Sequence, residues 1–169
     1  PLGLHAYRAV MSLARPALWL LLRRRAERGK EDQARRAERY GIAGLARPDG
    51  DLLWLHAASV GETNAVLPLI ERLLAARKSL TILLTTGTVT SAGLAAKRLP
   101  ARALHQYLPL DSVPYVRRFL DHWRPTVAVL TEQEIWPNLI LEAHARGIRL
   151  ALINARMSGR SLARWQGKP

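Results

Sequence analysis

The sequence contains no cysteine, which excludes a disulfide scaffold and any metal site built on thiolates. This absence fits a reducing compartment. The histidines do not take the place of the missing thiolates, because His56, His105, His122 and His144 lack the spacing of metal ligands. His56 and His105 lie in or beside apolar runs, which is typical of core histidines. We therefore predict no metal site and no cofactor.

Motifs of several nucleotide-dependent and acyl-transfer enzymes are also missing. There is no Gly-x-Gly-x-x-Gly, so a dinucleotide site is not supported, and there is no Gly-x-Ser-x-Gly elbow. The Thr85–Thr90 run precedes a helix but lacks the lysine of a P-loop, which disfavours a nucleoside triphosphate. Its hydroxyls, Thr86 and Thr88 among them, suit a phosphate or a sugar. Ordinary N-capping is the commoner explanation of such a run.

Lysine is scarce, since 4 of the 26 cationic side chains are lysines and the rest are arginines. The net charge of +13 predicts an anionic partner: nucleic acid, a phosphorylated sugar or an acidic membrane surface. A genome rich in arginine and alanine codons is the alternative explanation. Nucleic-acid binding would rest on charge alone, because no recognisable motif or interleaved aromatic side chains accompany it, and we expect none.

The first forty residues read as helical, and their apolar run Ala17–Leu22 is too short to cross a bilayer, which needs about 20 residues. No signal-peptide cleavage site follows it. Trp19, the leucines around it and the block Arg23–Arg25 predict an interfacial anchor on the cytoplasmic face of a membrane. A helix that caps the core is the alternative. We assign residues 1–40 to a helical membrane-anchor region and expect Gly41 to end its second helix.

Residues 41–169 alternate between short apolar runs and helical segments. The apolar runs begin near Leu52, Leu80, Ala103, Thr126 and Arg149. The segments between them have helical character over Ala65–Arg77, Ser91–Leu99, Val113–Trp123 and Asn138–Arg146. This alternation predicts an α/β fold, a Rossmann-like parallel sheet with helices on both faces.

Polar, Gly- or Pro-bearing clusters follow each predicted strand. They are Ser59–Glu62, Thr85–Thr90, Pro109–Asp111, Glu132–Pro137 and Asn154–Ser158. In open α/β sheets ligands bind at the carboxyl edge, where helix N-termini also point. The sequence therefore predicts a ligand site assembled from these five clusters.

Glu62 has two interpretations. Ser59-x-x-Glu62 matches a capping box, which starts a helix. Gly61 favours a strand-to-helix turn with close approach of a ligand. Pro68 would lie near the end of the first turn or just beyond it, which leaves the start of the helix open. A carboxylate at a helix N-terminus is held ionised, as a general base must be, so both roles can coexist.

Glu132 and Glu134 follow the most apolar run. In an extended segment they share one face, and two carboxylates beside Trp136 are costly unless they meet cations or a ligand. A salt bridge to Arg156 at the next strand end is the structural alternative. We expect one glutamate to be structural and the other functional.

Several of these stretches together resemble one family. They are Trp54–Glu62, Tyr107–Asp111, Glu132–Asn138, Asn154–Ser158 and also Glu38–Gly41. In this order, over about residues 7–166, they resemble the 3-deoxy-D-manno-octulosonic acid (Kdo) transferases. Gln133, Ser91 and Met157 depart from the family pattern.

The resemblance implies a GT-B glycosyltransferase that transfers Kdo from CMP-Kdo to a lipid A precursor at the cytoplasmic face of the inner membrane, without a metal. Glu62 matches the family's general base and Glu132 a second functional glutamate. The N-terminal helix matches a membrane anchor. Acceptor-binding or supporting residues would be Ser59, Gly61, Thr86, Thr88, Glu132, Glu134, Trp136, Asn154 and Arg156.

The sequence stops at Pro169, before a second domain that supplies most donor binding in this family. We expect residues 41–169 to be the acceptor-binding domain and to be inactive alone. Two alternatives remain: a non-catalytic basic module that binds a membrane surface or nucleic acid, and a GT-B enzyme that uses another sugar nucleotide.

Overall fold

A computed structural model describes residues 2–132, 134–155, 159 and 166. Two helices and a short 3₁₀ helix (Arg36–Tyr40) precede five strands that alternate with four helices. The helices are α1 Leu2–Leu13, α2 Arg15–Glu27, α3 Val60–Ala76, α4 Val89–Arg98, α5 Val113–Trp123 and α6 Pro137–Ala145. The strands are β1 Leu52–His56, β2 Thr81–Thr86, β3 Ala103–Tyr107, β4 Val127–Thr131 and β5 Arg149–Ile153.

The five strands form one parallel sheet in the order β3-β2-β1-β4-β5. On one face Trp54 packs with residues of α5 and α6 in a buried cluster, and the rings of Trp54 and Phe119 meet edge to face at 5.0 Å. On the other face Leu55 packs with residues of α3 and α4. Helices therefore cover both faces, and the predicted Rossmann-like α/β fold is confirmed.

The predicted helical segments lie within two residues of the observed ones, except at the start of α3. That helix begins at Val60 and continues through Pro68. Pro68 and Asn64 both lie on the exposed face, so the Asn64 carbonyl that loses its backbone partner faces water. The interpretation that Pro68 lies near the first turn was wrong, because a solvent-facing proline is tolerated deeper in the helix.

Two glycine residues end the N-terminal elements, and the first of them ends α2 earlier than expected. After α2, Gly29 takes a left-handed conformation (φ 67°), and the Lys30 N–H bonds the Arg25 carbonyl at 2.9 Å. This pairing is a Schellman motif, which stops a helix. Gly41 (φ 75°) ends the 3₁₀ helix in the same way. The prediction that Gly41 ends the second helix was wrong, because Gly29 already does.

Helix α1 is tied to the rest of the fold by two polar side chains. The Tyr7 hydroxyl donates to Asp111 Oδ2 at 2.7 Å, and Arg8 bonds Glu142 at 2.7 Å. Among the described residues, no helix is long and apolar enough to span a membrane. The division of the chain at residue 40 stays a prediction.

In α2 one side is buried and the other faces outward. Leu22 is 2% exposed, whereas Trp19, Leu20 and Leu21 are between 43% and 50% exposed. The Arg23 guanidinium stands over the Trp19 ring, 5.9 Å from its centroid. Helix α2 thus packs through Leu22 and presents an apolar, arginine-flanked surface to solvent.

Candidate active site

The chain changes direction across the sheet at β1, since β2 and β3 lie on one side of this strand and β4 and β5 on the other. The connections that leave β1 and β4 lead to helices on opposite faces, α3 and α6. This arrangement opens a crevice at the carboxyl ends of two neighbouring strands, which is where open α/β sheets bind ligands. Glu62 follows β1 and Glu134 follows β4, so both glutamates belong to this crevice.

Glu62 starts α3 and also reaches across to β4. The Ser59 hydroxyl accepts the Glu62 backbone N–H at 3.2 Å, as in a capping box. The Glu62 carboxylate does not return to the N–H of Ser59. Its Oε2 accepts the Ala58 N–H at 3.0 Å and the Thr131 hydroxyl at 2.5 Å. The carboxylate therefore joins the ends of β1 and β4 at the switch point, which a simple cap would not do.

The charge state of Glu62 is set by competing influences. Burial raises the pKa of Glu62, and the neighbouring charge of Glu134 acts in the same direction. Hydrogen bonds involving Thr131, Ser59 and the Ala58 N–H favour the carboxylate and outweigh both, so the pKa is lowered overall. Glu62 is consequently ionised at neutral pH and can accept a proton.

Glu134 belongs to a buried hydrogen-bonded chain that begins in the sheet. The Trp54 indole N–H donates to Thr85 Oγ1 at 2.8 Å, and His56 Nδ1 lies 3.0 Å from the same oxygen. On its other side the His56 ring reaches Glu134 Oε2, with Nε2 at 3.4 Å. Because a carboxylate can only accept, Nε2 is the donor in this contact.

Trp136 completes the surroundings of Glu134. Its indole N–H donates to Glu134 Oε2 at 2.7 Å. The hydrogen bond from His56 lowers the pKa of Glu134, burial opposes this, and the bond from Trp136 adds to the lowering. His56 is fully buried, as expected of a core histidine, but it also orients a carboxylate of the crevice.

Glu132 lies apart from Glu134. Strand β4 ends at Thr131, and Glu132 has a left-handed backbone with φ 54°. Its carboxylate accepts from Asn154 Nδ2 at 3.3 Å, beside β5, whereas Glu134 points toward β1. The prediction that both carboxylates share one face was wrong, because the left-handed residue breaks the alternation of an extended strand.

The threonines of the second cluster have local partners. Thr88 accepts the Ser91 N–H at 3.1 Å and so caps α4, as the commoner explanation predicted. Thr86 Oγ1 lies 2.9 Å from His105 Nε2 on β3. Thr88 borders the crevice, and the Thr86 hydroxyl is engaged beside it.

Gly61 lies inside the first turn of α3, after the turn from the strand is complete. A Cβ placed there would come no closer than 3.9 Å to another heavy atom, so the fold does not require a glycine. The inference that the turn needs Gly61 was wrong. In the loops around the crevice it is Gly87 that is tightly packed, because a Cβ there would lie 3.0 Å from the Ala58 carbonyl oxygen. Close approach of a ligand to Gly61 stays a prediction.

Arg39 supports the loops that form the crevice. The sequence pattern did not predict this role. Its buried guanidinium donates to the Gly87 carbonyl at 2.7 Å and to the Leu108 carbonyl at 3.2 Å. Glu31 accepts from the same guanidinium at 3.1 Å. Since Gly87 in turn donates its N–H to the Ala58 carbonyl at 3.1 Å, Arg39 fixes the loops around Glu62.

Asp111 positions the turn that carries Trp136. Its carboxylate accepts the backbone N–H groups of Asn138 and Leu139 at 3.1 and 2.9 Å, and so caps α6. Tyr7 bonds the same carboxylate; burial, followed by this bond, raises the pKa of Tyr7. Asp111 therefore links α1 to the crevice.

Two further predictions concern ligands. Arg156 lies outside the described residues, so its pairing with Glu132 or Glu134 stays a prediction. Within the described part of the chain, no group of three or more histidine or acidic side chains could hold a metal ion.

Taken together, the side chains at the crevice are two carboxylates, hydroxyls and an indole. This set is suited to binding and deprotonating a hydroxyl compound.

Comparison with known proteins identifies relatives with a shared description. The family described as "3-Deoxy-D-manno-octulosonic-acid transferase (kdotransferase)" matches residues 34–168. A "Probable 3-deoxy-D-manno-octulosonic acid transferase, mitochondrial" from Arabidopsis thaliana is 43% identical over 159 residues, which are 94% of this chain and 36% of that protein. The 3-deoxy-D-manno-octulosonic acid transferase of Bordetella pertussis is 37% identical, over 99% of this chain and 41% of its own length.

A solved structure described as "S. aureus MnaA-UDP co-structure" is similar with a TM-score of 0.46 and 14% identity, covering 72% of this chain and 34% of that chain. The chain spans about 36% of the Arabidopsis protein and 33% of a Rickettsia bellii relative that is 38% identical to it. The match of the family over residues 34–168 shows that this chain belongs to the 3-deoxy-D-manno-octulosonic acid transferase family.

Proposed function

We propose that this chain is the acceptor-binding half of a GT-B glycosyltransferase that transfers Kdo from CMP-Kdo to a lipid A precursor. The observation that carries the proposal is the ionised Glu62 carboxylate at the switch point between β1 and β4. Family membership supports Kdo as the sugar. CMP-Kdo would bind mainly to a second domain outside this sequence, so the chain alone would not transfer sugar.

The reaction assigns one proton transfer to Glu62. The acceptor hydroxyl oxygen forms a bond to the anomeric carbon of Kdo while its proton passes to the Glu62 carboxylate. The bond from that carbon to the CMP phosphate breaks, and its electron pair leaves with CMP. The Ala58 N–H and the Thr131 hydroxyl both donate to Oε2, so Oε1 is the oxygen we assign to the proton. Glu134, whose charge acts on Glu62, and Trp136, which donates to Glu134, would orient the acceptor.

We further propose that the chain lies on the cytoplasmic face of the inner membrane and contacts anionic lipid. Trp19, Leu20 and Leu21 are each exposed on α2, which also carries the exposed Arg23 and Arg24. Tryptophan, leucine and arginine in this arrangement bind membrane interfaces. Vesicles that contain anionic lipid should retain the chain, neutral vesicles should retain less, and added salt should release it. Equal retention on both vesicles would contradict an electrostatic contribution.

A donor screen tests the proposed activity. The complete protein is incubated with a lipid A precursor and either CMP-Kdo or other sugar nucleotides, and the product is measured by mass spectrometry. We expect Kdo transfer from CMP-Kdo alone, and none by the isolated 169-residue chain. Transfer of another sugar would contradict the assignment of CMP-Kdo as the donor. Absence of any transfer by the complete protein would favour a non-catalytic binding module.

A further inference from the structure

We infer that a groove between the N-terminal helices and the carboxyl edge of the sheet holds one acyl chain of the lipid acceptor and directs its head group to Glu62. This inference rests on the proposed function. The apolar groove, as we name it, has a volume of about 420 Å³, within the range of small-molecule sites. Its apolar walls are Met11, Leu18, Leu21, Leu22, Leu108, Pro109, Leu110 and Trp136.

The two walls come from different parts of the chain. Leu18, Leu21 and Leu22 place the apolar side of α2 on one wall, and Leu108–Leu110, which follow β3, form the opposite wall. Asp111 comes directly after this second wall in the sequence, and its hydrogen bond with Tyr7 holds α1 against the fold. The groove is therefore a feature of the folded chain, with a shape set by side chains that are fixed elsewhere.

The polar side chains that line the apolar groove already have partners inside the protein. These side chains are Arg25, Glu31, Arg39, His56, Thr88, Asp111 and Glu134. A polar ligand would have to compete with these hydrogen bonds. An alkyl chain needs no hydrogen bonds and binds by removing apolar surface from water, so it is the occupant that the lining favours.

The ends of the groove give the bound chain a direction. Leu21 lines the groove and is 50% exposed, so the groove is open to its surroundings beside this residue, where lipid would be met. Elsewhere the groove is bordered by Glu134 and by Ala58, whose N–H bonds the Glu62 carboxylate. An acyl chain whose free end lies beside Leu21 would thus place its attached sugar near the proposed base.

Charge around the groove also suits a lipid acceptor with phosphate groups. Arg25 lines the groove but is paired with Glu31, so the cation offered to a phosphate is the exposed Arg24 just before it on α2. Arginine binds phosphate through its planar set of donors. An apolar peptide or a second copy of this chain would not use such a cationic border, and both serve as outcomes of the test below.

The first experiment measures binding of dodecanoic and hexanoic acid to the purified chain by calorimetry. Each buried methylene tightens binding about fourfold, so the six additional methylenes of dodecanoic acid correspond to about 4,000-fold tighter binding if all are buried. Burial of about half of them still corresponds to roughly sixtyfold, which is the smallest difference we expect. Equal affinity for the two acids, or no binding, overturns the inference. Light scattering of the same samples reports self-association, and a groove already filled by a second copy would also overturn it.

Matched tryptophan variants locate the binding. Leu18→Trp and Leu21→Trp place a bulky indole ring in the apolar groove. Leu20→Trp places the same ring at an exposed neighbouring position outside the groove. We expect the first two to weaken dodecanoic acid binding about tenfold or more and the third to change it less than about twofold. Melting temperatures check that each variant folds. Leu21→Trp, at a half-exposed position, keeps the test valid if Leu18→Trp does not fold.

Photolabelling gives a readout that adsorption to the surface cannot imitate. A diazirine at the end of dodecanoic acid should label Met11 or residues 108–110, as identified by mass spectrometry of the peptides. Labels confined to Trp19 and Leu20 would overturn the inference. None of these readouts needs sugar transfer. Acyl binding together with a failed donor screen would contradict only the proposed function. Kdo transfer in the donor screen without acyl binding would contradict only the inference that the groove holds an acyl chain.

Discussion

Replacing Glu142 by glutamine should lower the free energy of unfolding by about 3 kcal/mol near neutral pH, because it breaks a buried ion cluster. The Glu142 carboxylate is buried and accepts from Arg8 at 2.7 Å, from Arg117 at 2.8 Å and from Arg146 at 2.9 Å. These arginines lie on α1, on α5 and just after α6. The cluster therefore fixes α1, whose Met11 forms part of the apolar groove.

The magnitude follows from the pKa of Glu142. Burial raises the pKa of Glu142, but hydrogen bonds from Arg117, Arg146 and Arg8 outweigh burial and lower it from 4.5 to about 2. A lowering of this size corresponds to about 3 kcal/mol of stability, since each pKa unit corresponds to about 1.4 kcal/mol. A lowered carboxyl pKa stabilises the fold above the unfolded value, and this stabilisation is lost as the pH falls from about 4.5 toward 2.

The assay is thermal unfolding of the wild type and Glu142→Gln at neutral and acid pH. For a chain of this length, about 3 kcal/mol corresponds to a melting temperature lower by about 6 to 12 °C. The difference in free energy between the two proteins should fall by more than half between about pH 7 and pH 3. Equal melting temperatures near pH 7, or a difference that does not change with pH, would refute the reasoning. Arg24→Ala, at an exposed position on α2, is the control.

Three further predictions concern the surroundings of the site. Gly87→Ala should lower the melting temperature of the complete protein and its Kdo transfer, because the new Cβ would lie 3.0 Å from a backbone carbonyl oxygen. Gly61→Ala, where a Cβ has open space, should raise the free energy of unfolding by about 0.5 kcal/mol. Arg39→Met should cost about 3 kcal/mol in urea unfolding, since it leaves the buried Glu31 carboxylate without this partner, and an unchanged midpoint would contradict the role of Arg39. Burial, with help from nearby arginines, lowers the pKa of His105 to about 3, so its NMR signals should not titrate between about pH 8 and pH 5.

The regular part of the fold could be predicted from the sequence because local signals agree there. Five apolar runs separated by helical segments are enough to specify a parallel sheet, and α5 was predicted with its observed bounds. The first helical region could not be divided in the same way. Gly29 stops α2 through two backbone hydrogen bonds, and the arginine-rich sequence around it does not distinguish this glycine from one inside a helix.

The site could be predicted only as far as the carboxyl edge of the sheet. Ser59 and Glu62 carry a local pattern, so their capping contact was foreseen, but the bond from Thr131 joins residues far apart in the sequence. The same holds for His56 with Glu134, because strand order decides which loops become neighbours. Sequence spacing does not contain that order, and left-handed residues after a strand change the direction of the side chains that follow.

Substitution of Glu62 by glutamine in the complete protein, assayed for Kdo transfer and melting temperature together, tests the central proposal most directly. Glutamine keeps the shape and can cap the helix but cannot accept the proton. We predict that transfer falls about a hundredfold or more while the melting temperature stays within about 3 °C, and that Glu71→Gln on the exposed face of α3 changes neither. Retained transfer with a lowered melting temperature would contradict the account and make Glu62 a structural cap.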